Sequence, residues 1–218
     1  MTRPFPIADN PSRAAPSPAQ EAETALESFF ATLMEKARGL YPEGMAPQRQ
    51  AIIVHSALSA FGHVPGGADT VTRALCESAR RRGATLVMCA HTDAKALSPD
   101  ASIIPGSKVL SPDASIIPGS ERAPGSGDDD GELSAIVAFD RKKSPCRDMG
   151  AIAERFRTLP GTRRSGHPTL SFTARGPLAR RILFPHRRES GIGPDSPAGR
   201  LRDLDALVLL VGVGYERC

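Results

Sequence analysis

Between 21 and 40, apolar side chains recur at Leu26, Phe29, Phe30, Leu33, Met34, Ala37 and Leu40, the spacing of three and four residues that gives a helix one apolar face. The period then changes. Ala51, Ile52, Ile53 and Val54 form an unbroken apolar run of strand length; Gly66-Gly67 make a turn signal, 69–80 reads as a helix, and 85–89 as a second buried strand. Strand, glycine turn, helix and strand in this order make a βαβ unit, which calls for a parallel sheet covered by helices. Apolar strand character returns at 134–139. A helix is expected over 150–158, with Ile152 and Phe156 four apart, then an extended stretch over 168–172 and a helix over 177–183 with proline in its first turn. Ser196-Pro197 is an N-cap and N1 pair opening a short helix to 204. The run 206–213 is apolar throughout, so it is expected inside the sheet. The whole pattern predicts an α/β fold: a three-layer sandwich with a mainly parallel central sheet flanked by helices.

Two segments break this rhythm. Residues 1–20 are rich in Pro, Ser and Ala with no apolar core, and are expected to be a disordered leader rather than a signal peptide. In the middle, the eleven-residue run Leu97-Ser98-Pro99-Asp100-Ala101-Ser102-Ile103-Ile104-Pro105-Gly106-Ser107 recurs unchanged from Leu110 to Ser120. Two copies are too few for a solenoid, which needs about three or more. The repeat and the Gly- and Asp-rich stretch after it have too little apolar surface to offset ordering. The expected organisation is a single domain over 21–218, interrupted by a mobile insertion at 94–133.

The chain has 218 residues, 40% of them apolar and 24% charged, an ordinary composition for one globular domain. No stretch approaches the roughly 18 apolar residues of a membrane span. Cys76, Cys89, Cys146 and Cys218 show no paired metal-ligand spacing, which points to free thiols, no structural zinc and a cytoplasmic setting. The net charge is +4, but the arginines are scattered and no aromatic platform accompanies them, so nucleic acid is not the expected partner. The one tight basic triplet, Arg80-Arg81-Arg82, is expected to close a helix, where cations suit the dipole.

Candidate chemistry comes from six motifs in one order. His55-Ser56-Ala57-Leu58-Ser59-Ala60-Phe61-Gly62 is followed by Val64-Pro65-Gly66-Gly67-Ala68, then by Met149-Gly150-Ala151-Ile152-Ala153-Glu154-Arg155-Phe156-Arg157. Ser165-Gly166-His167-Pro168-Thr169-Leu170-Ser171-Phe172, Ser196-Pro197-Ala198-Gly199-Arg200-Leu201 and a Val211-Gly212-Val213-Gly214 ending complete the series. Together these residues resemble the aminoglycoside 3-N-acetyltransferase family over 51–92 and 140–218. Cys89-Ala90-His91-Thr92 stands where the family shows a PTHS-like stretch, and Cys146 where a hydroxyl residue often precedes the Met-Gly pair. The chain stops where the family continues into a TSLHLAE-type segment that brings a further histidine and an acidic residue.

The resemblance implies acetyl transfer from acetyl-coenzyme A to the 3-amino group of a 2-deoxystreptamine aminoglycoside, with antibiotic resistance as the outcome and no metal. The amine must be deprotonated to attack a thioester, and histidine is the side chain that titrates near neutrality. His167 is the candidate base, since Pro168 after it disfavours a helical backbone and would hold the imidazole at the lip of a strand. Ser56, Ala57, Leu58, Ser59, Val64, Pro65, Gly66, Gly67, Ser171 and Phe172 are the expected coenzyme A contacts, the glycine turn feeding a helix N-terminus that favours anions. His55 and His91, each after a buried strand, are weaker ligand candidates. His63 and His186 are expected at the surface. The competing expectation is a truncated, non-catalytic remnant that keeps coenzyme A binding.

Overall fold

A computed structural model describes residues 15–39, 41, 50–92 and 139–215. The expected insertion at 94–133 and the strand expected over 134–139, apart from Phe139, lie outside the described residues, as does the leader up to residue 14. Helix α1 runs Pro18–Arg38, so residues 18–20 belong to it rather than to a leader. Its start is a capping box: Ser17 Oγ accepts the Gln20 N–H at 3.3 Å, and the Gln20 side chain accepts the Ser17 N–H at 2.7 Å. Two otherwise orphaned donors are satisfied reciprocally, which extends the helix one turn beyond its apolar stripe.

Strand β1 (Ala51–Ser56), helix α2 (Gly67–Arg81) and strand β2 (Thr85–Cys89) form the expected βαβ unit, with β1 and β2 parallel. Arg80 and Arg81 close α2 as expected, both on Glu77, and Arg81 also reaches Glu27 of α1 at 3.0 Å. Helix α3 (Gly150–Thr158) precedes the short strand β3 (Arg163–Arg164) and strand β4 (Phe172–Arg175). Helices α4 (Ala179–Leu183) and α5 (Pro197–Asp203) then lead to strand β5 (Leu207–Val211). Ser196 caps α5 through Gly199 N–H at 3.3 Å, with Pro197 at its first position.

The five described strands are ordered β3-β4-β2-β1-β5. Only β2, β1 and β5 are parallel; β4 runs antiparallel to β2, and β3 antiparallel to β4. The sheet is therefore mixed rather than mainly parallel. The link 165–171 between β3 and β4 is shorter than the dozen or so residues a parallel crossover needs, so the two strands must run opposite ways. The apolar run at β5 also sits at an edge of the described sheet, not inside it: Val208 is 59% exposed.

Side chains alternate as the pleat demands. Ile52, Val54, Leu86 and Met88 face α1, α2 and α3, whose Phe30, Val71, Leu75, Ile152 and Phe156 complete one core. Ala51, Val87 and Ala174 face α4 and α5 across Leu178, Ile182, Leu183 and Leu201. Helices thus cover both faces of the sheet. This leaves the C-terminal ends of β2, β1 and β5 together on one rim, the place where open α/β sheets gather ligands.

Candidate active site

A cleft of about 740 Å³ opens on that rim, within the range of small-ligand sites. Its walls are the end of β1 with Ser56, Ala57, Leu58 and Ser59, Cys89 at the end of β2 and His91 after it, Asp148 to Ala151 at the start of α3, and Gly212 to Gly214 after β5. Pairing holds these walls in register: His55 and Ser56 lie opposite Leu210 and Val211, and Ala57 N–H continues the ladder to Val211 C=O at 3.0 Å. Arg147 N–H donates to the His91 carbonyl at 2.8 Å, which docks the lead-in of α3 against the end of β2. Gly212 lets the loop 57–60 close over β5, because a Cβ there would lie 2.5 Å from Ala60 Cβ.

The cleft presents two imidazoles. Burial lowers the pKa of His55. Burial also lowers that of His91, with the neighbouring His167, Arg164 and His55 acting in the same direction. Both side chains are accordingly neutral near pH 7. His91 Nε2 is buried without a hydrogen-bond partner among the described residues, and the ring stands edge-on to Phe172 at 5.7 Å. Beneath it, Arg164 is a buried cation that, among the described residues, is held by neutral oxygens: Nε donates to Ser171 Oγ at 2.9 Å, one terminal nitrogen to the Ala90 carbonyl at 2.6 Å and the other to the Ser144 carbonyl. Burial brings its pKa down to about 10. Burial pushes the Cys146 thiol up to about 12, so this residue is no nucleophile at neutral pH.

The residues singled out in the sequence separate into two groups. Ser56, Ala57, Leu58 and Ser59 line the cleft together with His55 and His91. Val64, Pro65, Gly66 and Gly67 form the turn into α2 away from it, closed by Gly67 N–H on Val64 C=O at 2.8 Å and by Thr70 Oγ1 on Pro65 C=O at 2.7 Å. Ser171 and Phe172 are buried behind the wall, Ser171 Oγ donating to Ala90 C=O at 2.6 Å. His167 is buried too, at 7% exposure. Its Nδ1 accepts the Leu170 N–H at 2.9 Å and its Nε2 donates to the Arg188 carbonyl at 3.0 Å. A carbonyl only accepts, so the ring is the neutral Nε2–H tautomer in this arrangement.

Two features escaped the sequence reading. His186, expected at the surface, is 8% exposed and stacks on His167 with ring centroids 4.9 Å apart. The Asp148-Met149-Gly150 turn is a cleft wall in its own right; the signal available was a glycine at a helix start, here with φ +81°.

A family model for aminoglycoside 3-N-acetyltransferases matches residues 53–107 and 121–218, which include every residue lining the cleft. The chain belongs to this family. Among curated acetyltransferase relatives, the SPbeta prophage-derived aminoglycoside N(3')-acetyltransferase-like protein YokD of Bacillus subtilis is 32% identical, over 76% of this chain and 54% of its own. Aminoglycoside N(3)-acetyltransferase VII of Streptomyces paromomycinus is 30% identical over 76% of this chain and 50% of its own. The chain thus spans about half the length of the curated relatives it matches. Among solved acetyltransferase structures, AAC-IIIb in a binary complex with CoASH superimposes with a TM-score of 0.57 at 29% identity, covering 86% of this chain and 58% of that one. AAC-VIa bound to sisomicin gives a TM-score of 0.59 at 25% identity, covering 88% and 61%.

Proposed function

We propose that this chain binds acetyl-coenzyme A in the cleft and transfers the acetyl group to the 3-amino group of a 2-deoxystreptamine aminoglycoside, conferring antibiotic resistance. The observation that carries this reading is the meeting of residues 56–59 with the start of α3 on the rim of the sheet, within the segments matched by the family model. That AAC-IIIb forms a complex with CoASH and AAC-VIa one with sisomicin supports the same pair of substrates here. Small residues at Ser56, Ala57 and Ser59 let backbone amides approach the pantetheine arm. We place the reaction in the cytoplasm, the reducing compartment that the free thiols of Cys76 and Cys146 suit.

In the proposed step the neutral amine nitrogen attacks the thioester carbonyl carbon, the C–S bond breaks, and the amine proton passes to the base while the thiolate leaves. His167 is the proposed base. Its Nε2 is held by the Arg188 carbonyl, so catalysis requires that carbonyl to give way to the amine and the imidazole to turn a lone pair towards it. Val64, Pro65, Gly66, Gly67, Ser171 and Phe172 then act by supporting the wall rather than by lining it.

The engagement of both His167 nitrogens favours one second reading: a remnant that keeps coenzyme A binding without turnover. One pair of measurements separates them. Acetyl-coenzyme A should raise the melting temperature, and thiol release should follow on adding aminoglycosides. A thermal shift without thiol release from any of a panel of aminoglycosides selects the remnant; no shift removes both readings.

A further inference from the structure

Neither Ser165 nor His186 lines the cleft, yet His186 packs on the proposed base and Ser165 holds His186. Ser165 Oγ accepts the Phe172 N–H at 2.9 Å and sits 2.9 Å from His186 Nδ1. On its far side His186 Nε2 lies 2.8 Å from the Gly191 carbonyl. That carbonyl can only accept, so Nε2 carries the proton and Nδ1 must receive the serine hydroxyl. His186 is thereby fixed in one tautomer from both ends. Its flat face lies against His167, tilted by 35°, and His167 in turn donates to the carbonyl of Arg188. Arg188 and Gly191 belong to a single turn, the short 3-10 helix Arg188–Ser190 and its cap.

We propose that Ser165 and His186 are a positioning pair for His167: they hold the turn whose carbonyl caps His167 Nε2, and so set which nitrogen of the base carries the proton. The inference rests on the acetyl-transfer reading above. Burial lowers the pKa of His186, opposed by its bond to Gly191 and reinforced by the nearby His167, Arg200 and His91. The ring facing His167 is therefore an uncharged plate near neutral pH. Arg164, bonded to Ser171 one residue before Phe172, is a further cation near this cluster.

The test is nitrogen NMR of the histidine side chains in the full chain, with Ser165→Ala, His186→Phe and His186→Gln. In the unsubstituted chain both rings should show a pyridine-type Nδ1 and a pyrrole-type Nε2. Ser165→Ala removes the donor to Nδ1 and should leave His186 a mixture of tautomers. The His167 Nε2–H should then exchange about fivefold faster or more, the loss of one hydrogen bond's net contribution. His186→Phe keeps a ring but no donor and should do the same, whereas His186→Gln, which keeps a donor for the Gly191 carbonyl, should restore most of the protection. An unchanged His167 signal in both Ser165→Ala and His186→Phe overturns the proposal whatever the turnover. Altered His167 signals in a chain that releases no thiol would instead refute the catalytic reading of His167 while upholding the pairing.

Discussion

Replacing Gly212 by alanine tests the architecture of the cleft directly. Gly212 has φ +72°, and an added Cβ would sit 2.5 Å from Ala60 Cβ and 2.9 Å from the Ala57 carbonyl oxygen. The left-handed backbone costs an L-residue about 1–2 kcal/mol. Ordinary carbon contacts are about 3.5–4 Å, so the loop 57–60 must retreat by about 1 Å, and overpacking of this kind costs about 1–3 kcal/mol. The expected loss is about 2–5 kcal/mol, a large fraction of the roughly 5–15 kcal/mol of a whole domain. With an m-value of about 2 kcal/mol/M the urea midpoint should fall by about 1–2.5 M. Gly67→Ala is the control: φ is +57° but nothing lies within 4 Å of the new Cβ, so only the backbone cost remains, about 1 kcal/mol or a shift of about 0.5 M. Because the loop that must retreat lines the cleft, Gly212→Ala should also abolish the thermal shift from acetyl-coenzyme A, and Gly67→Ala should keep it. Equal midpoints for the two variants would refute the reasoning, since the close contacts with Ala60 and Ala57 are what separate them.

Other perturbations reach different parts of the chain. His167→Ala should lower thiol release by about 10² to 10⁴, the range for a positioned acid-base group, with the acetyl-coenzyme A shift intact; undiminished release would remove His167 from the mechanism. Burial works against the Glu154 carboxylate, but hydrogen bonds from Arg157 and from Cys146 N–H hold its pKa down at about 2. A folded pKa below the unfolded one gives stability that is present above about pH 4.5 and lost as pH falls towards about 2. After allowance for the 36% exposure of Glu154, this amounts to about 1–2 kcal/mol. Glu154→Gln should therefore be less stable than the unsubstituted chain at pH 7 and nearly equal to it near pH 2 by urea denaturation; a gap that does not close on acidification would contradict the pairing. Phe156→Ala, at a fully buried position, should cost about 3–5 kcal/mol, read as a fall in melting temperature; a shift of only a degree or two would mean that α3 does not anchor the cleft.

Local periodicity was enough to place α2, α3, α5, β1 and β2, because apolar spacing, a Ser-Pro cap and glycine turns act on residues a few positions apart. The order of the motifs was equally legible and pointed to the family. The direction of β4 and the edge position of β5 were not. An apolar run such as Leu207–Val211 has the same pattern whether one or two strands flank it, and its neighbours are decided by packing far away in the chain. The start of α1 was readable but missed, since the Ser17 and Gln20 box lies outside the apolar stripe. The histidines show the limit most plainly. His167 could be chosen from its motif, but its tautomer depends on the Arg188 carbonyl, 21 residues on. His186, flanked by Pro185, Arg187 and Arg188, reads as surface in any local window, and only the fold buries it against a partner ring. Covalent order determines which groups a segment carries; which proton each imidazole holds is decided by the oxygens and amides that tertiary packing brings to its two nitrogens.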